Sequence, residues 1–315
     1  MLYQKPHASF SDQVKRLQER GLIIDDKRRA EHYLSIVGYY RLSSYCYRFE
    51  LPPTNGTRTH RFREGTTFDD IVRIYVFDQK LRTLMLEALE RFEVATRSVW
   101  AHAMSEPYGS HPHMNAELFD NKDEYFKSFV NLMEETKRAQ ANSEEIAHYL
   151  KHYDTPFLPP IWIITSVMSF GELFRWIKNT KSTPVKLAIA KAVGLPNVQI
   201  LEGISRALTT VRNICAHHGR LWDRRLSTKL PYLTKNLRVP LKAIIDKSGG
   251  NEADPRMFNC IVILAHLMLF LNKSSTWPFR VASLIKETLT KDEQNIMGFP
   301  DNWEANPFWM TNSDK

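Results

Sequence analysis

At 315 residues, 43% apolar and 25% charged, the chain has the make-up of a globular protein long enough to bury a large core. Its formal charge of +8 argues for an anionic partner and says nothing about fold. Three scattered cysteines, Cys46, Cys215 and Cys260, frame neither disulfides nor a zinc site and fit a reduced, cytoplasmic setting. The first residues lack the apolar core of a signal peptide, and the most apolar run, Cys260–Leu271, is too short to span a membrane.

Taken in order, the apolar spacing predicts helices throughout. Phe10, Val14, Leu17 and Leu22 share one face of a first helix closed at Gly21. Ala30–Phe49 reads as a second, with Tyr33, Tyr39, Tyr40, Tyr45 and Tyr47 interleaved with Arg41 and Arg48. Those tyrosines either pack against the next domain or stack on bases. Pro52–Gly65 is a turn-rich basic linker or hairpin carrying Arg58, His60, Arg61 and Arg63. Thr66–Asp70 offers caps for a long helix to about Met104, with Ile71, Ile74, Phe77 (or Asp78), Leu81, Leu84 and Leu89 as its core stripe. Glu90, Glu93 and Arg97 place charges on another face, which a surface ion-pair ladder explains without any function.

His111 and His113 flank a proline with no carboxylate or cysteine at ligand spacing, so they read as loop residues and no metal site is expected. Asp123–Lys151 is a polar surface helix stopped by Pro156–Pro160, and Trp162–Lys178 is an apolar helix interrupted at Ser169–Gly171. Thr183–Val193 is a short helix. Pro231–Val239 is irregular and basic, Gly249–Pro255 a loop, and Met257–Leu271 a buried helix. Trp277–Thr290 is the last helix, and the aromatics of the tail Phe299–Trp309 fold back onto the core. Repeats, a glycine-rich phosphate loop and a Ser or Cys triad pattern are absent. The expectation is an all-α protein with an N-terminal helical segment and basic linker over residues 1–64 and a larger helical domain over 65–315.

The segment that stands out is Arg212–Leu226, RNICAHHGRLWDRRL. From Arg206 to Arg238 the cations are Arg206, Arg212, Arg220, Arg224, Arg225, Lys229, Lys235 and Arg238, against Asp223 alone. Basic residues, histidine and an aromatic together suggest a polyphosphate partner, most commonly nucleic acid. Leu201, Ile204, Leu208, Val211 and Cys215 form one face of an amphipathic helix that Pro196–Asn197 can start and Gly219 can stop. Asn213 and His217 lie one turn apart on one face, whereas Arg212 is roughly 140° from His217 on an ideal helix. His217 and His218 fall in the final turn, where the last carbonyls attract positive charge.

These residue types suit RNA cleavage without a metal. Histidine can take the ribose 2′-OH proton or protonate the leaving 5′-oxygen, and a guanidinium offers a planar fork to the phosphate oxygens. One helix supplies one well-placed histidine, so a two-histidine mechanism needs His218 or a second copy of the chain in a symmetric dimer. R-x4-H alone is weak: Arg97 and His102 form another, read as coincidence because it lacks the asparagine after the arginine, the second histidine and the basic run.

RNICAHH followed by RLWDRR resembles the signature of the Abi-like abortive-infection proteins of bacteria. These are members of the HEPN superfamily, whose ribonucleases carry R-x4–6-H with a polar residue after the arginine. Similar stretches include KPHASFSDQVKRLQERGLIIDD, YLSIVGYYRLSSYCYRFE, LEALERFEVATRSVW, PPIWIITSVMSFGELFRWI and MGFPDNWEANPFW, so the resemblance spans residues 5–309. It implies a HEPN-type helical bundle with an additional N-terminal helical segment, and a cofactor-free endoribonuclease toxin of phage defence. Arg212 would bind phosphate, Asn213 would orient phosphate or histidine, and His217 would serve as general acid or base. His218 would support them, and Glu93, on the first long helix, would orient Arg212. Arg206, Arg220, Arg224 and Arg225 would hold the RNA. The resemblance also implies restraint by a small regulatory RNA or an inhibitory antitoxin. Two rivals are a non-catalytic RNA- or nucleotide-binding module regulated in the same way, and a metal-dependent phosphodiesterase built on His217, His218 and Asp223. The latter is disfavoured by the scarcity of carboxylates around the motif.

Overall fold

A computed structural model describes residues 2, 6–228, 230–231, 255–305 and 309. Among them the chain is all-α, with thirteen α-helices and β-pairing limited to isolated bridges. Two compact units emerge, Met1–Arg82 with Leu284–Thr290, and Thr83–Ser283 with Lys291–Lys315.

In the first unit, α1 (Phe10–Glu19) starts at a capping box in which Ser9 and Asp12 satisfy each other's backbone N–H. Its apolar face buries Val14 and Leu17, while Phe10 stays exposed. The continuous helix expected over Ala30–Phe49 is broken into α2 (Lys27–Val37) and α3 (Tyr39–Cys46). Gly38 sits between them at φ +86°, a conformation glycine adopts at little cost. The basic loop that follows is a hairpin. Asn55 and Gly56 both take positive φ in a two-residue turn, and Leu51 N–H donates to the Arg61 carbonyl at 2.7 Å. Arg58 spends its charge locally, forking onto the buried carboxylate of Glu50 with two 2.6 Å bonds. Tyr45 is fully buried and donates to Asp78 at 2.6 Å, with Arg82 on the same carboxylate, so this tyrosine packs internally. Tyr40 and Tyr47 remain exposed.

The long helix α4 (Phe68–Tyr108) starts where Thr67 and Asp70 cap it, and Ile71, Ile74, Phe77, Asp78, Leu81 and Leu89 are all buried. Its later residues belong to the second unit. There the polar stretch expected as one helix is two, α5 (Lys122–Ala139) and α6 (Glu144–His152), because Ser143 caps a new start on the Ile146 N–H. The apolar run after Pro160 splits as expected near Ser169, into α7 (Ile161–Ile164) and α8 (Phe170–Asn179), and α9 (Thr183–Ala192) follows. His113 is completely buried in a short 3-10 turn and is no surface loop residue.

The helix α10 (Val198–Ala216) packs against α8 and α9. After it come α11 (Met257–Leu271), buried along nearly its whole length, α12 (Trp277–Thr288) and α13 (Lys291–Ile296). The last of these lies beyond the helix expected to end the series. The tail folds back as expected, with Phe299, Trp303 and Trp309 all buried. Of Pro231–Val239 and Gly249–Pro255 only Pro231 and Pro255 lie inside the described residues. All three cysteines are buried and none is in a disulfide.

Candidate active site

The motif occupies the C-terminal end of α10. Asn197 caps the other end by accepting from Ile200 N–H at 2.9 Å, and Leu201, Ile204, Leu208, Val211 and Cys215 form its buried face. That anchorage fixes which side chains look outward. Asn213 and His217 are exposed, and Arg212 is half-buried. The helix ends at His217, whose N–H donates to the Asn213 carbonyl at 2.9 Å. His218 N–H then reaches Cys215 O at 3.0 Å and Gly219 N–H reaches Ile214 O at 2.7 Å, the paired bonds of a Schellman end. The left-handed residue in that motif is usually glycine. Here it is His218, at φ +56°. Gly219, the expected stop, is needed for a different reason: a Cβ there would lie 3.2 Å from the Ile214 carbonyl.

The α4 carboxylate of Glu93 lies within the electrostatic reach of Arg212. Burial pushes the Glu93 carboxyl above its ordinary pKa, while the positive charges of Arg97 and then Arg212 oppose that shift and Glu90 adds to it. Arg97 forms an ion pair with Glu93 and donates to the Met168 carbonyl at 2.6 Å. The acid is thus paired with the arginine of one R-x4-H stretch and feels the charge of the arginine of the other. The ion pairing expected of Glu90, Glu93 and Arg97 from their helical spacing is present at Glu93 and Arg97, an i,i+4 pair that is part-buried and not on the open surface. His102 is exposed on α4 and lines a groove with Arg97 and Trp162.

Downstream, Leu221 and Trp222 are buried and act as anchors, while Arg224 and Arg225 are exposed. Arg220 lies 3.8 Å from Asp223, and Arg224 Nε donates back to the Arg220 carbonyl at 2.9 Å. Arg225 pairs with Arg256 in an isolated antiparallel bridge, and Leu226 N–H reaches Pro255 O at 2.8 Å. The buried pair anchors the segment while Arg224 and Arg225 face solvent. Arg206 is exposed two turns before Asn213. Lys229, Lys235 and Arg238, the rest of the basic run, lie outside the described residues.

Ser205 was also missed. It falls within the buried stripe of α10, where a hydroxyl is the exception, and lines a pocket of about 310 Å³ between α8 and α10.

A family model described as Abi-like protein matches residues 32–223, more than half of the chain and the whole motif as far as Asp223. No curated protein and no solved structure matches the chain.

Proposed function

The chain belongs to the Abi-like protein family, and from that premise we propose that it acts in abortive-infection phage defence by cutting RNA without a metal ion. The reading is carried by one observation: Asn213 and His217 are exposed on the same helix end, with Arg212 alongside and an α4 carboxylate near its charge. In the proposed reaction a base removes the ribose 2′-OH proton and the oxygen attacks the adjacent phosphorus. The bond to the 5′-oxygen breaks as that oxygen takes up a proton, leaving a 2′,3′-cyclic phosphate and a 5′-hydroxyl. His217 handles one of the two protons. Arg212 binds the non-bridging oxygens, where negative charge gathers in the transition state. Asn213 orients the phosphate or the imidazole.

The second proton needs a second group. A homodimer with two motif helices facing across a two-fold axis would provide another His217; His218 of the same chain is the alternative. The HEPN-type bundle, the RNA partner and an inhibitory small RNA or antitoxin belong to this proposal too. Induced expression followed by sequencing of cellular RNA 5′ ends tests it. The expected result is growth arrest with new 5′-hydroxyl ends for the wild type and neither for His217→Ala or Arg212→Ala. Arrest by His217→Ala with the same ends would overturn the assignment.

A further inference from the structure

The pocket of about 310 Å³ between α8 and α10 lies along the same face of the helix that carries the motif. At 100° per residue, Arg206, Thr210, Asn213 and His217 fall within about 60° of one another, so the pocket and the candidate catalytic end form one track along α10. Its floor is apolar, from Phe174, Ile177 and Leu201. Its rim holds three exposed cations, Arg175, Lys178 and Arg206, of which Arg175 pairs with Glu172, and Glu202 is an acid on the lining.

Ser205 sets the pocket apart. It is 1% exposed, lines the cavity, and its Oγ has no hydrogen-bond partner among the described residues. Its own carbonyl is already taken by the Thr209 hydroxyl at 2.8 Å, a bond in which the Ser205 hydroxyl takes no part. A buried hydroxyl without a partner costs stability, and it is one of the first places to look for a ligand. A flat heteroaromatic ring with a polar edge satisfies both floor and hydroxyl, and a phosphate attached to it meets the rim cations. That combination is a nucleotide.

Resting on the RNA-cleaving reading above, we infer that this pocket receives a base of the RNA strand near the scissile phosphate and that the Ser205 hydroxyl selects which base. Single-stranded RNA is read through unstacked bases whose edges are hydrogen-bonded, and the cavity has the size of a small ligand site. Arg206 then holds the phosphate between the pocket and Asn213.

The test is binding of short fluorescent homopolymers of A, C, G and U, and of a strand with one abasic position, to the full chain carrying His217→Ala so that the RNA survives. One base is expected to bind tightest. Ser205→Ala is expected to reduce that preference roughly ten-fold while leaving the abasic strand unaffected. Arg206→Gln is expected to weaken all strands alike. Because Ser205→Ala removes an unpartnered hydroxyl, its melting temperature should not fall, and that measurement guards against misfolding. Equal binding of all four homopolymers, or a preference unchanged by Ser205→Ala, would overturn the inference. So would a free nucleoside 5′-monophosphate binding in a Ser205-dependent way that no strand shares. The pocket is judged by binding and the reaction by product ends, so either reading can fail alone.

Discussion

At the scale of single residues, the Glu93 carboxylate links the end of α10 to α4 through charge. Glu93 pairs with Arg97, feels the charge of Arg212 and is only 12% exposed, so its removal leaves the Arg97 guanidinium without its acid. Glu93→Gln is predicted to lower stability by about 1–3 kcal/mol, the usual cost of depriving a part-buried charge of its partner. RNA cleavage should fall further than that loss of folded protein explains. Urea melts and cleavage rates on the same preparation check this; unchanged stability and rate would mean that Glu93 orients nothing. A second residue gives a pH signature. His113 is fully buried, and burial first, then its neighbour His111, hold its imidazole down at about 3, against the opposing pull of the Pro159 carbonyl. Between that value and the ordinary histidine range the unfolded chain binds a proton that the native chain refuses. Stability should therefore fall as pH drops through this window, by up to roughly 1.4 kcal/mol per pH unit. Melts at several pH values should show the slope, and His113→Leu should flatten it. A variant with the wild-type slope would contradict the assignment. The motif residues were legible because Arg212, Asn213 and His217 are separated by short fixed spacings. Ser205 was not, since nothing in a helical pattern says whether a buried hydroxyl finds a partner.

At the scale of elements, what was legible was periodicity. The stripes of α4, α10 and α11 follow directly from apolar spacing, and Asn197 and Thr67 cap where short polar residues precede such stripes. Breaks were harder, because Gly38 and Ser143 interrupt stretches whose residue types suit a helix on both sides. The end of α10 shows the same limit. Gly219 marks the stop, yet the left-handed position belongs to His218. A histidine held there is strained relative to glycine, and strain of this kind gathers at functional ends. His218→Gly is thus predicted to raise stability by about 1 kcal/mol, whereas Gly219→Ala should lower it by crowding Ile214. Chemical denaturation of both variants reads the signs directly. Destabilisation by His218→Gly would show that the imidazole makes contacts worth more than the strain.

At the scale of the whole molecule, the net charge of +8 and the exposed arginines around the motif make counterion release the expected source of affinity in the proposed binding of RNA. Binding should weaken with salt at a log–log slope of about −0.7 per phosphate contacted on single strands. Arg224→Gln with Arg225→Gln should make that slope shallower, and a slope unaffected by the pair would move the RNA surface elsewhere. Purified wild-type chain is incubated with a defined RNA in excess EDTA, His217→Ala is treated in parallel, and the product ends are analysed. The account predicts cleavage by the wild type alone, undiminished by EDTA, leaving 2′,3′-cyclic phosphate and 5′-hydroxyl ends. Cleavage that EDTA abolishes, ends bearing a 5′-phosphate, or equal cutting by His217→Ala would contradict it.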